Sequence, residues 1–344
     1  MPRSLIVTID LTNILICILT DGWSIAMKHI LMIDPAVSAV NIGDEIISES
    51  IRKQISFLLK DSFITNISSH LPLSWNYKYA IGDCDYKFVC GSNLLMGKLN
   101  GRFKQWHIGY QDIKFLRNSI IIGAGWWQYN NEPNLYTKVL YRNILSKDYI
   151  HSVRDDYTVK MLNKVGIHNV INTGCATMWD LTSEHCAEIS NKKSDTVVFT
   201  LTDYKKNVEK DKELIKILCN NYSKIYFWPQ GVGDYSYFNS LNPSDDIMVI
   251  PPNLKAYDSV LENESIDYVG TRLHGGIRAL QKKRRTIIIA VDNRANEKKK
   301  DFNLVCVDRN NLDNLSNLIV GGWKTDIHIP LDNIALWKAQ FDNK

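Results

Sequence analysis

Val269-Gly270-Thr271-Arg272-Leu273-His274-Gly275-Gly276 decides how the chain is read. The apolar run at residues 266–269 predicts a buried strand. Residues 273–283 follow at once with helical spacing, and Thr271 is the expected N-cap. The first turn carries Arg272, His274 and two glycines. Glycines weaken a helix, so they point to close approach of a charged ligand to backbone N–H groups. A helix N-terminus is already electropositive, and a fixed arginine there is costly unless an anion sits beside it. The ordinary alternative is a surface arginine and a packed histidine at a tight strand–helix turn.

On both sides of this stretch the chain alternates strand and helix. Downstream, residues 286–291 read as a strand ending Asp292-Asn293-Arg294. Upstream come strands at 196–201, 225–228 and 248–250 and helices at 208–220 and 254–262. The polar residues 190–195 read as a linker. Before it, residues 30–33, 86–90, 119–122 and 151–153 read as strands. Their ends carry Asn41-Ile42-Gly43-Asp44-Glu45, Gly91-Ser92-Asn93 and Gly123-Ala124-Gly125-Trp126-Trp127-Gln128. Asp44 suits either an N-cap or a general base at a strand's carboxyl end, the usual site position in open α/β sheets. The glycine turns lack the spacing and the ribose-binding acid of a dinucleotide site.

Ser152-Val153-Arg154-Asp155 opens a second helix, with Ser152 read as its cap and Gly166 closing it. Arg154 is a second arginine at a helix start, so two anion-binding helix starts could face one small polyanion. The competing reading is an ion pair with Asp155 or Asp156. Alternation twice over implies an α/β protein with two Rossmann-like domains facing across a cleft. The expected division is an extension at 1–26, a first domain at 27–190, a second at 191–318 and a tail at 319–344 packing back on the first half.

With 344 residues, two domains of roughly 150 each are natural. The 45% hydrophobic and 23% charged residues describe a globular chain, and a net charge of +4 is too mild to imply nucleic acid. Nine tryptophans and sixteen tyrosines suit sugar rings or ordinary cores equally. Seven cysteines without CxxC or a His/Cys pairing fit reduced thiols in a cytoplasm, with no metal site expected. Residues 5–19 are apolar but broken by Asp10 and Asn13, too short to span a bilayer. They mimic a weak signal peptide, although Asp10 counts against it; Met27 is an alternative start, and an extra strand or interfacial segment a third reading. An appended non-catalytic segment is favoured, and no spanning helix is expected. The basic stretches at 282–285 and 298–300 read as solvated helix ends and loops, with peripheral contact to anionic lipid a minor alternative.

Four stretches carry a resemblance: Asn41-Ile42-Gly43-Asp44-Glu45; Ser152-Val153-Arg154-Asp155-Asp156-Tyr157-Thr158; Thr173-Gly174-Cys175-Ala176; and Gly270-Thr271-Arg272-Leu273-His274-Gly275. In order and separation, across about residues 28–315, the chain resembles the polysaccharide pyruvyl transferase family. The resemblance implies a fold like GT-B glycosyltransferases and transfer of pyruvate from phosphoenolpyruvate to two hydroxyls of one sugar, making a cyclic ketal. It implies that Arg154 and Arg272 hold the donor's phosphate and carboxylate, that Leu273 lines the pocket, and that His274 sits at the reacting carbons. Where many members carry a lysine after the strand ending at Val291, this chain has Arg294.

The chemistry fits these residue types. Arginine forks suit both anionic groups of phosphoenolpyruvate. His274 is the candidate acid or phosphate ligand and Asp44 the candidate base. The acceptor is expected near Asn93, Trp126 and Gln128. The partners are then phosphoenolpyruvate, as donor substrate rather than cofactor, and an oligosaccharide, polysaccharide or lipid-linked sugar. The alternatives are a nucleotide-sugar glycosyltransferase on the same scaffold and a non-catalytic glycan-binding assembly protein.

Overall fold

The computed structural model describes residues 27–127, 132–291 and 302–342. The expectations for residues 1–26, Gln128, Arg294 and residues 298–300 lie outside that set. The first half contains β1 (Lys28–Asp34), β2 (Ser62–Ser68), β3 (Tyr86–Cys90), β4 (Ser119–Ile122), β5 (His151–Val153) and β6 (Val170–Asn172). The second contains β7 (Thr196–Phe199), β8 (Lys224–Phe227), β9 (Met248–Val249), β10 (Ile266–Gly270), β11 (Thr286–Ala290) and β12 (Cys306–Asp308). The helices used below are α1 (Ile42–Gln54), α2 (Trp75–Ala80), α3 (Asp156–Val165), α4 (Asp234–Ser240), α5 (Leu273–Gln281) and α6 (Leu331–Ala339).

All strand pairs are parallel. The first sheet runs β2-β1-β3-β4. The β5-β6 pair continues it, through an Ala124–Val153 bridge and a Gly123 N–H bond to Ser152 O of 2.9 Å. The second sheet runs β12-β11-β10-β7-β8-β9, which is the Rossmann order counted within that half. Strand order reverses between β1 and β3 in one sheet and between β7 and β10 in the other. Open α/β sheets bind ligands at the carboxyl ends beside such reversals.

Parallel strands buried on both faces read as continuous apolar runs. Ile30 and Met32 of β1 pack on one face and Leu31 and Ile33 on the other. In β11, Ile287 and Ile289 oppose Ile288 and Ala290 in the same way. β2 was not expected, because Ser-Phe-Ile-Thr-Asn-Ile-Ser mixes polar and apolar residues. It lies at the sheet's edge and is only partly covered. Near the carboxyl terminus, Ile334 and Trp337 of α6 join Phe341 against Ile30, Met32 and Phe88 of the first sheet.

The halves touch at their strand ends. Ile42 N–H donates to Gln230 O at 2.9 Å and Val232 N–H to Val40 O at 3.1 Å. Gln281 Nε2 on α5 bonds Thr177 O at 2.6 Å. Arg278 on α5 reaches Glu49 on α1 at 3.1 Å.

Three expectations need correction. Arg272, not Thr271, is the N-cap of α5, because the Thr271 hydroxyl is held by Thr202 at 2.8 Å. Asp155, not Ser152, caps α3, accepting from Thr158 N–H at 2.8 Å; Ser152 Oγ instead bonds Thr173 Oγ1 at 2.6 Å. The 282–285 stretch is a solvated helix end only at its lysines. Lys282 and Lys283 pair with Glu262 and Glu188, and Arg285 is buried against Asp267 at 2.8 Å.

Candidate active site

Arg272 follows β10 at the strand-order reversal of the second sheet. Thr271 N–H donates to Thr200 O at 3.1 Å and Arg272 N–H to Thr200 Oγ1 at 3.0 Å, pinning the turn to the end of β7. The guanidinium is buried. Its Nε donates to Asp234 Oδ2 at 2.9 Å and to Leu201 O at 3.2 Å, and its Nη2 to Asp203 Oδ1 at 2.9 Å and to Asp234 Oδ1. Tyr204 lies under it, with its ring centre 5.0 Å away. Burial works against the cation, but the Asp234 carboxylate more than offsets it and holds the Arg272 pKa above its ordinary value. Arg272 was expected to be a lone cation awaiting an anion; it is already tied to two carboxylates. Asp234 is fully enclosed, whereas the Asp203 side chain is 30% exposed.

α5 begins directly after Arg272, which makes no side-chain cap bond to it. Its two glycines sit where a side chain would be crowded. A Cβ at Gly276 would lie 2.1 Å from Ile288 Cδ1, and one at Gly275 3.0 Å from Gln230 Oε1. Leu273 is buried among the apolar residues beneath α5. His274 is half-buried and crosses to the first half, with Nε2 3.8 Å from Cys175 Sγ. Thr177 Oγ1 donates to that sulfur at 3.1 Å.

In the first half, Asn41 caps α1 by accepting from Gly43 N–H at 3.1 Å. Asp44 is therefore not the cap. It sits in the first turn and accepts from Ser92 Oγ at 3.1 Å, beside the β1/β3 reversal. Asn93 follows Ser92, and among the described residues its buried Oδ1 has no hydrogen-bond partner. Buried Gln230 Oε1 is likewise unpartnered, while its Nε2 bonds Asn41 Oδ1 at 2.8 Å. Buried acceptors without donors are rare and mark sites that a ligand or water completes.

Arg154 is buried behind Gly125, where a Cβ would fall 2.0 Å from its Nε, and it pairs with Asp155 at 3.2 Å. Of the two helix starts expected to bind anions, only that of α5 lacks a side-chain cap. Contacts still connect the arginines. Arg154 packs on Gly125, Gly125 N–H bonds Ser92 O at 2.8 Å, and Ser92 holds Asp44. From the α1 cap, Asn41 bridges to Gly231, which abuts Arg272.

The acceptor was expected near Trp126. The Trp126 side chain is 0% exposed and packs edge-on to Tyr141 at 6.3 Å, so it is a core residue. Asp203, Asp234, Gln230, Ser92 and the Cys175 contact were missed. They lie just beyond strand ends, and the available signal was that a buried arginine needs an acid. Among the described residues no three His, Cys, Asp or Glu side chains form a metal-holding group. None of the helices among them is long and apolar enough to cross a membrane.

The family model for polysaccharide pyruvyl transferase matches residues 41–293, from the α1 cap to just beyond β11. The chain belongs to the polysaccharide pyruvyl transferase family. That span contains Asp44, Ser92, Arg154, Cys175, Asp234, Arg272 and His274. Among solved structures it is similar to UDP-GlcNAc 2-epimerase from Methanocaldococcus jannaschii, with 14% identity, a TM-score of 0.49 and coverage of 91% of this chain and 99% of that one. It is also similar to a family 9 glycosyltransferase from Veillonella parvula, with 12% identity, a TM-score of 0.32 and coverage of 76% and 80%. No curated protein matches it in sequence.

Proposed function

We propose that this protein moves pyruvate from phosphoenolpyruvate onto two hydroxyls of one sugar, releasing phosphate. The acceptor belongs to a bacterial-type surface glycan, a capsule or exopolysaccharide, or to its lipid-linked precursor. The carrying observation is that His274, at the uncapped start of α5, reaches Cys175 of the other half, so that the seam combines groups from both sheets. Family membership supports the transferase class.

The donor's phosphate lies against the start of α5, where the helix dipole favours an anion and the cap residue Arg272 makes no side-chain cap bond. Its carboxylate takes Arg272 by displacing the partly exposed Asp203, while enclosed Asp234 keeps the guanidinium oriented. His274 gives a proton to the methylene carbon, making C2 electrophilic. Asp44, oriented by Ser92, takes the proton of the first hydroxyl as its oxygen bonds C2. The C2–O bond to phosphate then breaks, and the second hydroxyl closes the ketal. The proton of the new methyl comes from His274, which regains one from solvent as Asp44 gives up the first hydroxyl's proton, and the second hydroxyl's proton leaves with phosphate. Asn93 Oδ1 accepts an acceptor hydroxyl. Arg154 shapes the Gly125 turn from behind and adds positive charge there.

Phosphate release from phosphoenolpyruvate tests this, using the producing cell's surface glycan stripped of acid-labile ketals. Release that depends on the glycan supports the reading. Release of nucleotide from nucleotide sugars, with phosphoenolpyruvate untouched, overturns it in favour of a glycosyltransferase.

A further inference from the structure

The first sheet carries an unusual surface. Leu71, Trp75, Tyr77, Tyr79, Phe103 and Tyr110 are all exposed, Trp75 to 62% and Tyr79 to 73%. They come from two stretches, residues 69–80 and 91–111, which are fastened together. His107 N–H donates to Ser69 O at 3.0 Å, and His70 Nδ1 lies 3.1 Å from Gln105 O. Buried Lys78 of α2 pairs with Asp112 at 2.8 Å, and Tyr79 meets Phe115 edge-on at 5.7 Å. Phe103 packs on Trp127 at 4.8 Å and Tyr110 on Tyr136 at 4.4 Å, so the rings are held in place rather than waving. Large apolar groups left exposed on two stretches that are fastened together mark an interaction surface.

Charge says what it meets. The 98–110 loop carries Lys98, Arg102 and Lys104 and no acid, and Asp112 just beyond it is buried and paired, while Asp83 and Asp85 follow α2. Cations around exposed Trp and Tyr match a bilayer's anionic headgroup region, where amphipathic rings settle and each nearby cation adds attraction. The position fits as well. Residues 69–71 leave the carboxyl end of β2 and residues 91–95 that of β3, the same end of the sheet that bears Asp44 and Ser92.

We propose that this face, α2 with the 98–110 loop, docks the protein on an anionic lipid surface. Docking stands independently of the donor chemistry. If the proposed function also holds, it deepens it: the acceptor would be a lipid-linked sugar presented at the membrane to the open end of the first sheet.

The test is co-sedimentation of the full chain with vesicles of phosphatidylcholine alone or with phosphatidylglycerol, beside a Trp75→Ser/Phe103→Ser variant and a Lys98→Glu/Arg102→Glu variant. The expected result is salt-sensitive binding to phosphatidylglycerol vesicles alone, weakened about tenfold or more in both variants. Their melting temperatures should match the parent, and turnover of a water-soluble acceptor should be unchanged. Parent protein left in the supernatant overturns the proposal. So does equal binding by parent and variants, which would move the anchor to another part of the chain. Loss of soluble-acceptor turnover with vesicle binding intact would also overturn it, making this face a glycan site.

Discussion

Cys175 Sγ and His274 Nε2 lie 3.8 Å apart, and the two residues come from opposite halves of the molecule. The sulfur touches the imidazole across the seam, and Thr177 Oγ1 donates to the sulfur. His274→Ala should lower kcat by about a hundred- to ten-thousandfold, the range for a lost general acid. Cys175→Ala should have a smaller effect and change the pH profile of kcat, with Cys175→Ser partly restoring it. Steady-state kinetics across pH reads both. A Cys175→Ala profile identical to the parent's would remove the positioning role.

Asp44 does not cap α1, since Asn41 does, and its carboxylate is aimed by Ser92. Asp44→Asn should therefore reduce kcat by at least about a hundredfold while barely moving the donor KM. Helix stability should change little. A calorimetric scan beside the kinetics separates these effects, and a large fall in melting temperature with normal turnover would restore a purely structural role.

Asp203 and Asp234 share Arg272 unequally. Asp203→Asn removes a competitor for the guanidinium and should lower the phosphoenolpyruvate KM by a few-fold, to an extent that depends on salt. Asp234→Asn removes the enclosed partner and should destabilise the fold by about 3–5 kcal/mol, because it leaves a buried cation poorly compensated. Equal effects of the two substitutions on KM and on the denaturant midpoint would contradict this division.

His151 is buried behind β4. Its Nδ1 accepts the Ile121 N–H at 3.2 Å and its Nε2 lies 2.9 Å from Ser146 O, an arrangement that assigns the proton to Nε2 of a neutral ring. Burial lowers its pKa from 6.5 to about 4. The unfolded chain takes up this proton first as pH falls. Stability is thus fully present above pH 6.5 and is lost between there and about pH 4. The loss from this one group is up to about 3 kcal/mol. Urea midpoints measured across that window should show the slope, and His151→Gln should flatten it while lowering stability at neutral pH.

The strands buried on both faces were legible, because nothing but a packed parallel sheet explains runs such as Ile287-Ile288-Ile289 ending in polar loops. The edge strand β2 was not, since a half-covered strand needs no such run. For the same reason Trp126 was misplaced: when both faces of a sheet are buried, an aromatic residue at a strand end carries no mark of pointing inward or outward. Arg272 and His274 stood out by their place at a helix start. The acids that hold Arg272 did not, because Asp203 and Asp234 follow different strands and only the sheet order brings them together. Gly275 and Gly276 have close neighbours in Gln230 and Ile288, which the residue order did not show.

One measurement bears most directly on ketal transfer at this seam. Phosphoenolpyruvate labelled with carbon-13 at its methylene carbon is incubated in heavy water with the protein and the ketal-stripped glycan, and the product is followed by NMR and mass spectrometry. The expected product carries the label as a singly deuterated methyl on a carbon bonded to two sugar oxygens, and the glycan gains the mass of pyruvic acid less one water. Label remaining in phosphoenolpyruvate or appearing only as free pyruvate, with the glycan mass unchanged, would contradict it.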